Sequence, residues 1–69
     1  MIVYDPLWRT LQQRGVTTYK LIHQYGFSSH TIYRLRHNRG ITTALIDELC
    51  KILDCKVEDI IQYMSSEET

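Results

Sequence analysis

Hydrophobic side chains recur at helical spacing in five stretches of this chain, and short polar or glycine-containing segments separate them. The clearest stretch contains Ile46, Leu49, Cys50 and Leu53, which lie at positions i, i+3, i+4 and i+7 and therefore share one face of a helix. Four other stretches have similar spacing and begin at Leu7, Leu21, Ile32 and Val57. The pattern predicts an all-α fold with five short helices.

Residues that favour helix ends lie at the borders of these stretches. Asp5 is predicted to cap the first helix, because Pro6 suits the first helical position, and Gly15 is predicted to end it. Side-chain oxygens are also available before the next three helices, at Thr17, at Ser28 and at Thr42 or Thr43. The connections are short, so the chain predicts a single domain over residues 1–69.

The segment from Thr18 to Leu35 is the most informative part of the sequence. Leu21, Ile22 and Tyr25 are predicted to lie together on one side of a short helix. Gly26 can adopt the left-handed conformation that ends a helix, and Ser28 can cap a second helix directly afterwards. Two helices joined this tightly cross at a steep angle, as in a helix-turn-helix.

The outward face of this second helix is polar and contains no acidic side chain. Its residues are Ser29, His30, Thr31, Tyr33 and Arg34. An α-helix fits the major groove of DNA, where Arg can bond the O6 and N7 atoms of guanine and where hydroxyl or imidazole groups can bond base edges. An ordinary solvated helix face is the alternative, and the turn together with the acid-free face favours DNA binding.

These features resemble the helix-turn-helix of Cro and phage repressors, the XRE family of bacterial transcriptional regulators. The resemblance covers nearly the whole chain and is carried by the segments GFSSHTIYRL and ELCKILDCKVEDII. It implies a compact five-helix bundle of the lambda-repressor-like type. In such a bundle residues 28–37 form the recognition helix, which lies in the major groove of double-stranded DNA.

The resemblance also implies roles for individual residues. The expected base contacts are Ser29, His30, Tyr33 and Arg34, with Thr31 as a further candidate. The expected phosphate contacts are Thr17, Thr18, Arg36, Asn38 and Arg39. The chain departs from the family at Ile22, where alanine is usual, and at Thr18, where many relatives have glutamine. The larger Ile22 side chain predicts a wider or re-angled packing of the two helices.

The formal net charge of zero conceals a strong asymmetry along the chain. Residues 1–40 contain six basic residues against one acidic residue, a formal charge of +5, whereas residues 41–69 contain two against seven, a charge of −5. The predicted recognition helix lies in the basic half. A local positive field at that helix would attract phosphate despite the neutral total.

The two ends of the chain are expected to lie outside the helices. Met1 to Tyr4 favour an extended N-terminal arm, for which we favour packing on the same chain over pairing with a second copy. Residues 65–69 are predicted to be a frayed tail. Leu45 and Ile52, together with Tyr63 on the fifth helix, are the candidate dimer interface. A homodimer of this fold would bind an inverted-repeat operator.

Other kinds of chemistry have little support in the sequence. Cys50 and Cys55 lack the paired spacing of a zinc site and are expected to be reduced thiols, so we predict no metal and no other cofactor. No catalytic motif or evident small-molecule site is present, and an enzyme is not expected. No stretch predicts a membrane span or signal peptide, so we expect a cytoplasmic protein, in the bacterial or phage setting that the resemblance implies.

Two functions fit these expectations. The first is sequence-specific binding of double-stranded DNA by a small transcriptional regulator, with a repressor favoured. The second is a protein-interaction module, antitoxin-like or regulator-binding, that uses the same fold without specific DNA binding. Arg34, Arg36 and Arg39 favour the first, because an interaction module has no need of them beside an acid-free polar helix.

Overall fold

A computed structural model describes residues 1–65 of the chain. A short strand, β1 (Ile2–Val3), precedes four α-helices, which are α1 (Asp5–Arg14), α2 (Thr18–His23), α3 (Ser29–Arg36) and α4 (Thr43–Leu53). A 3₁₀ turn (Val57–Asp59) and a second strand, β2 (Gln62–Tyr63), follow α4. The predicted frayed tail lies outside the described residues except for Ser65.

Three of the predicted helix caps are present. In each, a side-chain hydroxyl accepts a hydrogen bond of 3.1 Å from the backbone N–H three residues further on, in the pairs Thr17–Lys20, Ser28–Thr31 and Thr42–Leu45. Each bond pairs one of the backbone donors that the first turn of a helix leaves without a partner. The same local chemistry that the sequence indicated therefore starts α2, α3 and α4.

The prediction that Asp5 caps α1 is wrong by one residue. Tyr4 is the cap residue, and its carbonyl oxygen accepts a hydrogen bond from the backbone N–H of Leu7 at 3.0 Å. Asp5 lies inside the first turn, where its carboxylate is favourable near the positive end of the helix dipole. Its side chain makes no capping bond.

The hydrophobic core receives a side chain from every helix. Its fully buried members are Leu7, Leu21, Leu35, Leu49, Leu53 and Ile60. A polar contact also holds the 3₁₀ turn in place beside this core. The Thr10 hydroxyl donates to the Asp59 carbonyl at 2.8 Å, so the 3₁₀ turn is held against α1.

The prediction of a fifth helix is wrong, because the helical turn ends after Asp59 and the backbone of residues 62–64 pairs with the N-terminus instead. β2 runs antiparallel to β1, with Ile2 opposite Tyr63 and Val3 opposite Gln62. Although the spacing of Val57, Ile60, Ile61 and Met64 suits a helix, Ile60 is fully buried whereas Val57 is half exposed. Strand pairing with residues far away along the chain satisfies the backbone groups that a helix would have paired locally.

The N-terminal arm packs on its own chain, as favoured above. The Met1 carbonyl accepts a hydrogen bond from the Met64 N–H at 2.8 Å, and the terminal amino group donates to the Met64 carbonyl. Val3 is buried, whereas Ile2 is 43% exposed. Among residues 1–65, no helix has the length and apolar character that a membrane span requires.

Candidate nucleic-acid interface

A tight turn joins α2 to α3 as the sequence predicted. Gly26 has a φ of +77°, and the N–H of buried Phe27 donates to the Leu21 carbonyl at 3.0 Å. A left-handed residue at this point reverses the chain so that Ser28 can start α3 immediately. The prediction that Tyr25 lies on the same side of a short helix as Leu21 and Ile22 is wrong: α2 ends at His23, and Tyr25, beyond it, is 37% exposed.

The outward face of α3 contains most of the predicted base contacts. Ser29, His30, Tyr33 and Arg34 are exposed, whereas Ile32 and Leu35 are buried on the opposite side. Thr31 differs from the others because it is half-buried and its hydroxyl lies 2.9 Å from that of Ser28. The Thr31 side chain is therefore part of the helix cap as well as a candidate base contact.

Aromatic rings form a row along this face. The His30 and Tyr33 rings are nearly parallel, with centroids 6.3 Å apart, and the Tyr33 and His37 rings are 4.2 Å apart. His37 follows the last residue of α3 and is exposed. It extends the predicted face by about one helical turn. The i, i+7 spacing between His30 and His37 was the sequence signal that could have predicted His37 on this face.

Arg34 is held by the loop that follows its own helix. Its Nε donates to the Gly40 carbonyl at 3.0 Å, and its NH1 lies 3.5 Å from Nε2 of His30. These contacts orient the guanidinium group while its side chain stays exposed. A planar guanidinium with one edge fixed can still present its other N–H groups to an acceptor pair.

Arg36 extends from α3 towards α1 and α2. Its guanidinium carbon lies 5.4 Å from the centroid of the Trp8 ring, and its NH2 donates to the Thr18 hydroxyl at 3.4 Å. Thr18 is one of the two positions at which the chain departs from the pattern of the family that it resembles. In this chain Arg36 supplies a side-chain link between α2 and the end of α3. Ile22, the other departure, is half-buried against the core.

The loop between α3 and α4 contains two predicted phosphate contacts in different environments. Asn38 adopts a left-handed φ of +54°, and its side-chain oxygen accepts a hydrogen bond of 3.1 Å from the Tyr4 N–H. Arg39 is exposed, but its backbone is held at both ends. Its N–H donates to the Arg34 carbonyl at 2.8 Å, and its carbonyl accepts from the Tyr4 hydroxyl at 2.6 Å.

Tyr4 is the residue of this region that sequence reasoning missed. Its side chain is 3% exposed, and burial raises the pKa of its hydroxyl, an effect that the nearby charge of Arg34 opposes. The sequence indicated only an extended segment at this position. No local pattern connects Tyr4 with a loop more than 30 residues away.

Not every basic residue of the first half of the chain is available to this interface. Arg14, at the end of α1, donates from Nε to the Leu53 carbonyl at 2.9 Å and from NH2 to the Asp54 carbonyl at 3.0 Å. These carbonyls end α4, where a positive charge is favourable. Thr17 likewise uses its hydroxyl to cap α2, although the residue is exposed.

The three residues of the predicted dimer interface lie on two different elements. Leu45 and Ile52 are on α4, where both are half-buried against the core. Tyr63 is 67% exposed and belongs to β2, so its predicted place on a helix is wrong. Leu45 also borders a surface depression with Thr31 and Arg34, next to α3.

The cysteines are free thiols, both half-buried. Burial raises the pKa of Cys55 to about 11, and the adjacent Cys50 adds to this effect. A thiol with a raised pKa is a poor nucleophile and a poor metal ligand near neutral pH. Within the described part of the chain, no three histidine, cysteine or acidic side chains are grouped so that they could hold a metal ion.

Comparison with known proteins agrees with this geometry. The family model of the Cro/C1-type helix-turn-helix DNA-binding domain matches residues 6–66. The chain belongs to this family. The solved structure of the transcriptional regulator VanUg is similar to it, with a TM-score of 0.84 and 26% sequence identity, over 94% of this chain and 87% of that one. No curated protein sequence matches the chain.

Membership of the Cro/C1-type family assigns the structural parts described above. Together, α2, the turn at Gly26 and α3 are the helix-turn-helix, and α3 is the second helix of that motif. The family is one of DNA-binding domains, so α3 and the loop that follows it form the candidate DNA interface. Four α-helices, a 3₁₀ turn and a two-stranded sheet, rather than five helices, form the described residues of this chain.

Proposed function

We propose that the chain binds double-stranded DNA sequence-specifically and acts as a transcriptional repressor. The observation that carries the proposal is the outward face of α3, which exposes His30, Tyr33 and Arg34. Acidic side chains are absent from the whole stretch between Pro6 and Ile46. A helix with this face can enter the major groove without repulsion between carboxylates and phosphates.

The exposed residues of α3 are assigned to the bases. Arg34 contacts a guanine through the N–H groups that its bond to Gly40 leaves available. Ser29, His30 and Tyr33 contact neighbouring base edges. Thr31 contributes less to base contact than these residues, because its hydroxyl lies 2.9 Å from that of Ser28. Because the bond to Gly40 already restricts the Arg34 side chain, this side chain loses less conformational entropy when it binds DNA.

The residues around α3 are assigned to the phosphates. Arg39 is the strongest candidate, since its side chain is exposed and its backbone is held in place. Arg36 of α3 donates a hydrogen bond to Thr18 at the start of α2, and these two side chains together contact a phosphate next to the cap residue Thr17. Asn38 contributes through its amide NH2 group, because its oxygen accepts from Tyr4.

A repressor is favoured over an activator, because a protein that occupies an operator can block polymerase without a further surface that contacts another protein. In this proposal two copies bind an inverted repeat, with Leu45, Ile52 and Tyr63 as the candidate contacts between them. The half-exposed side chains on α4 and the exposed ring on β2 support this assignment. The cytoplasm of a bacterial cell is the corresponding location.

Selection of duplexes from a random pool tests the proposal. Bound duplexes are recovered at low and at moderate salt and sequenced over several rounds. Enrichment of one motif supports specific binding, and a palindromic motif supports a symmetric dimer. Failure to enrich any sequence at either salt concentration would rule out specific DNA binding and favour the protein-interaction alternative. Sedimentation with and without the enriched duplex measures the number of copies bound.

A further inference from the structure

Tyr4 connects three parts of the molecule that lie far apart in the sequence. It follows β1, its carbonyl starts α1, and its N–H and hydroxyl groups both reach the loop after α3. The two loop contacts are bonds of 3.1 Å to the Asn38 side chain and 2.6 Å to the Arg39 carbonyl. A buried aromatic residue with all three polar groups bonded has very little freedom to move.

The loop that Tyr4 contacts is held from its other side by Arg34. The Arg34 side chain bonds the Gly40 carbonyl, and the Arg34 carbonyl accepts from the Arg39 N–H. Consecutive carbonyls at positions 39 and 40 therefore have different partners, one from the N-terminal arm and one from the recognition helix. The backbone from which the Arg39 side chain extends is fixed on both sides.

We infer that Tyr4 is a positioning residue for DNA binding, which fixes the loop of Asn38 to Gly40 so that Arg39 and Arg34 meet DNA already oriented. This inference rests on the proposed function. Tyr4 itself is buried and contacts DNA only through these residues. Preorganisation of this kind removes part of the entropy cost of ordering two long side chains on binding.

The first test replaces Tyr4 by phenylalanine, which keeps the ring in the core and removes only the hydroxyl group. Binding of the enriched duplex and of a random-sequence duplex is measured by fluorescence anisotropy between 50 and 300 mM salt, well below the unfolding temperature. We expect about two- to tenfold weaker binding of both duplexes, as for loss of one hydrogen bond. The slope of log K against log salt should become shallower by up to about 1, as for one weakened phosphate contact.

Thr10→Val is the matched control, because it also removes a buried hydroxyl that donates to a backbone carbonyl, but at the 3₁₀ turn instead of the loop after α3. It should leave affinity and salt slope unchanged. Coupling is measured in an Arg39→Ala background, where Tyr4→Phe should lose its effect on the salt slope. An undiminished effect of Tyr4→Phe in that background would show that Tyr4 does not act through Arg39 and would overturn the inference.

A measurement without DNA separates positioning from simple stability. Amide order parameters of Asn38 to Ile41 should fall in Tyr4→Phe, while those of α2 stay unchanged. If Arg39→Ala flattens the salt slope but Tyr4→Phe alters neither the slope nor the loop, the inference fails and the proposed function stands. If the wild-type chain binds neither duplex, the proposed function fails, and the inference that depends on it fails as well.

Discussion

The helix-turn-helix unit (residues 17–37) and the terminal sheet (β1 and β2) are built from contacts of very different range. The caps of α2 and α3 join residues three positions apart. β1 pairs with residues about 60 positions away, and Tyr4 contacts partners 34 and 35 positions away. Local contacts can form while the rest of the chain is disordered, whereas distant contacts require the core to close a long loop first.

The two regions meet at the loop that follows α3. Arg34 reaches this loop from α3, and Tyr4 reaches it from the N-terminal arm. The locally built helix-turn-helix unit therefore depends on distant residues for the geometry of the loop that follows it. Breaking either region separately should therefore have distinguishable effects on stability and on DNA binding.

The largest expected effect comes from the C-terminal region. Ile60→Ala should lower the free energy of unfolding by about 2–5 kcal/mol, because Ile60 is fully buried and its truncation leaves a cavity. Urea titration followed by circular dichroism measures the change. Val57→Ala is the control, since Val57 is half exposed and should lose at most about 1 kcal/mol. Equal losses at the two positions would mean that this segment is not packed as described.

The next effect concerns base contact from the helix-turn-helix unit. Arg34→Ala should weaken binding of the enriched duplex by about 1–3 kcal/mol and relax the preference at one base pair, if Arg34 bonds a guanine. Arg39→Ala should weaken binding to all sequences and flatten the salt dependence. Anisotropy titrations with matched and mutated duplexes separate the two outcomes.

Arg34→Lys sharpens this test, because lysine keeps the charge but lacks the planar fork of arginine. We expect it to retain binding to random-sequence duplexes and to lose base preference. Identical behaviour of the Arg34 and Arg39 variants would contradict the division into base and phosphate contacts.

A smaller effect is expected at a local cap. Ser28→Ala should lower the free energy of unfolding by about 1 kcal/mol, because the Thr31 N–H loses its partner. The unfolding midpoint should fall by about 4–8 °C per kcal/mol for a domain of this size. Ser29→Ala is the matched control inside the helix, where alanine is the better helix former. A similar loss in both variants would argue against a capping role for Ser28.

The smallest effect is a dependence of stability on alkaline pH. Cys55 has a pKa raised to about 11 in the folded chain, whereas a free thiol ionises near pH 8.5. The neutral thiol therefore stabilises the fold fully below about pH 8.5, and this contribution is lost as the pH rises through about 11. Thermal melts of wild type and Cys55→Ala should differ in slope between pH 8 and 11. Parallel curves would contradict the raised pKa.

Sequence reasoning located most of the candidate site, because its parts are consecutive. Ser29, His30, Tyr33 and Arg34 lie on the exposed face of one helix, and the periodicity of Ile32 and Leu35 was enough to orient that helix. The partners of the same residues could not be predicted. The bond from Arg34 to Gly40 and the bond from Arg36 to Thr18 depend on how separate elements pack.

Residues 57–64 show where spacing alone is insufficient. Their apolar positions fit a helix, yet residues 57–59 form a single 3₁₀ turn and residues 62–64 pair with residues 1–3. A helix and a strand can both bury Ile60, so the outcome depends on which partner the backbone finds. That partner is the N-terminal arm, and the sequence did not indicate which segment of the chain the arm would pair with.

The sequence by itself determined the four helices, the caps of α2, α3 and α4 and the acid-free face of α3, because apolar periodicity and capping bonds act over three or four residues. The tertiary structure alone decided the terminal sheet, the contacts of Tyr4 and the use of Arg14 to end α4. These depend on groups 34 to 63 residues apart. Only the closed core brings such groups within hydrogen-bonding distance.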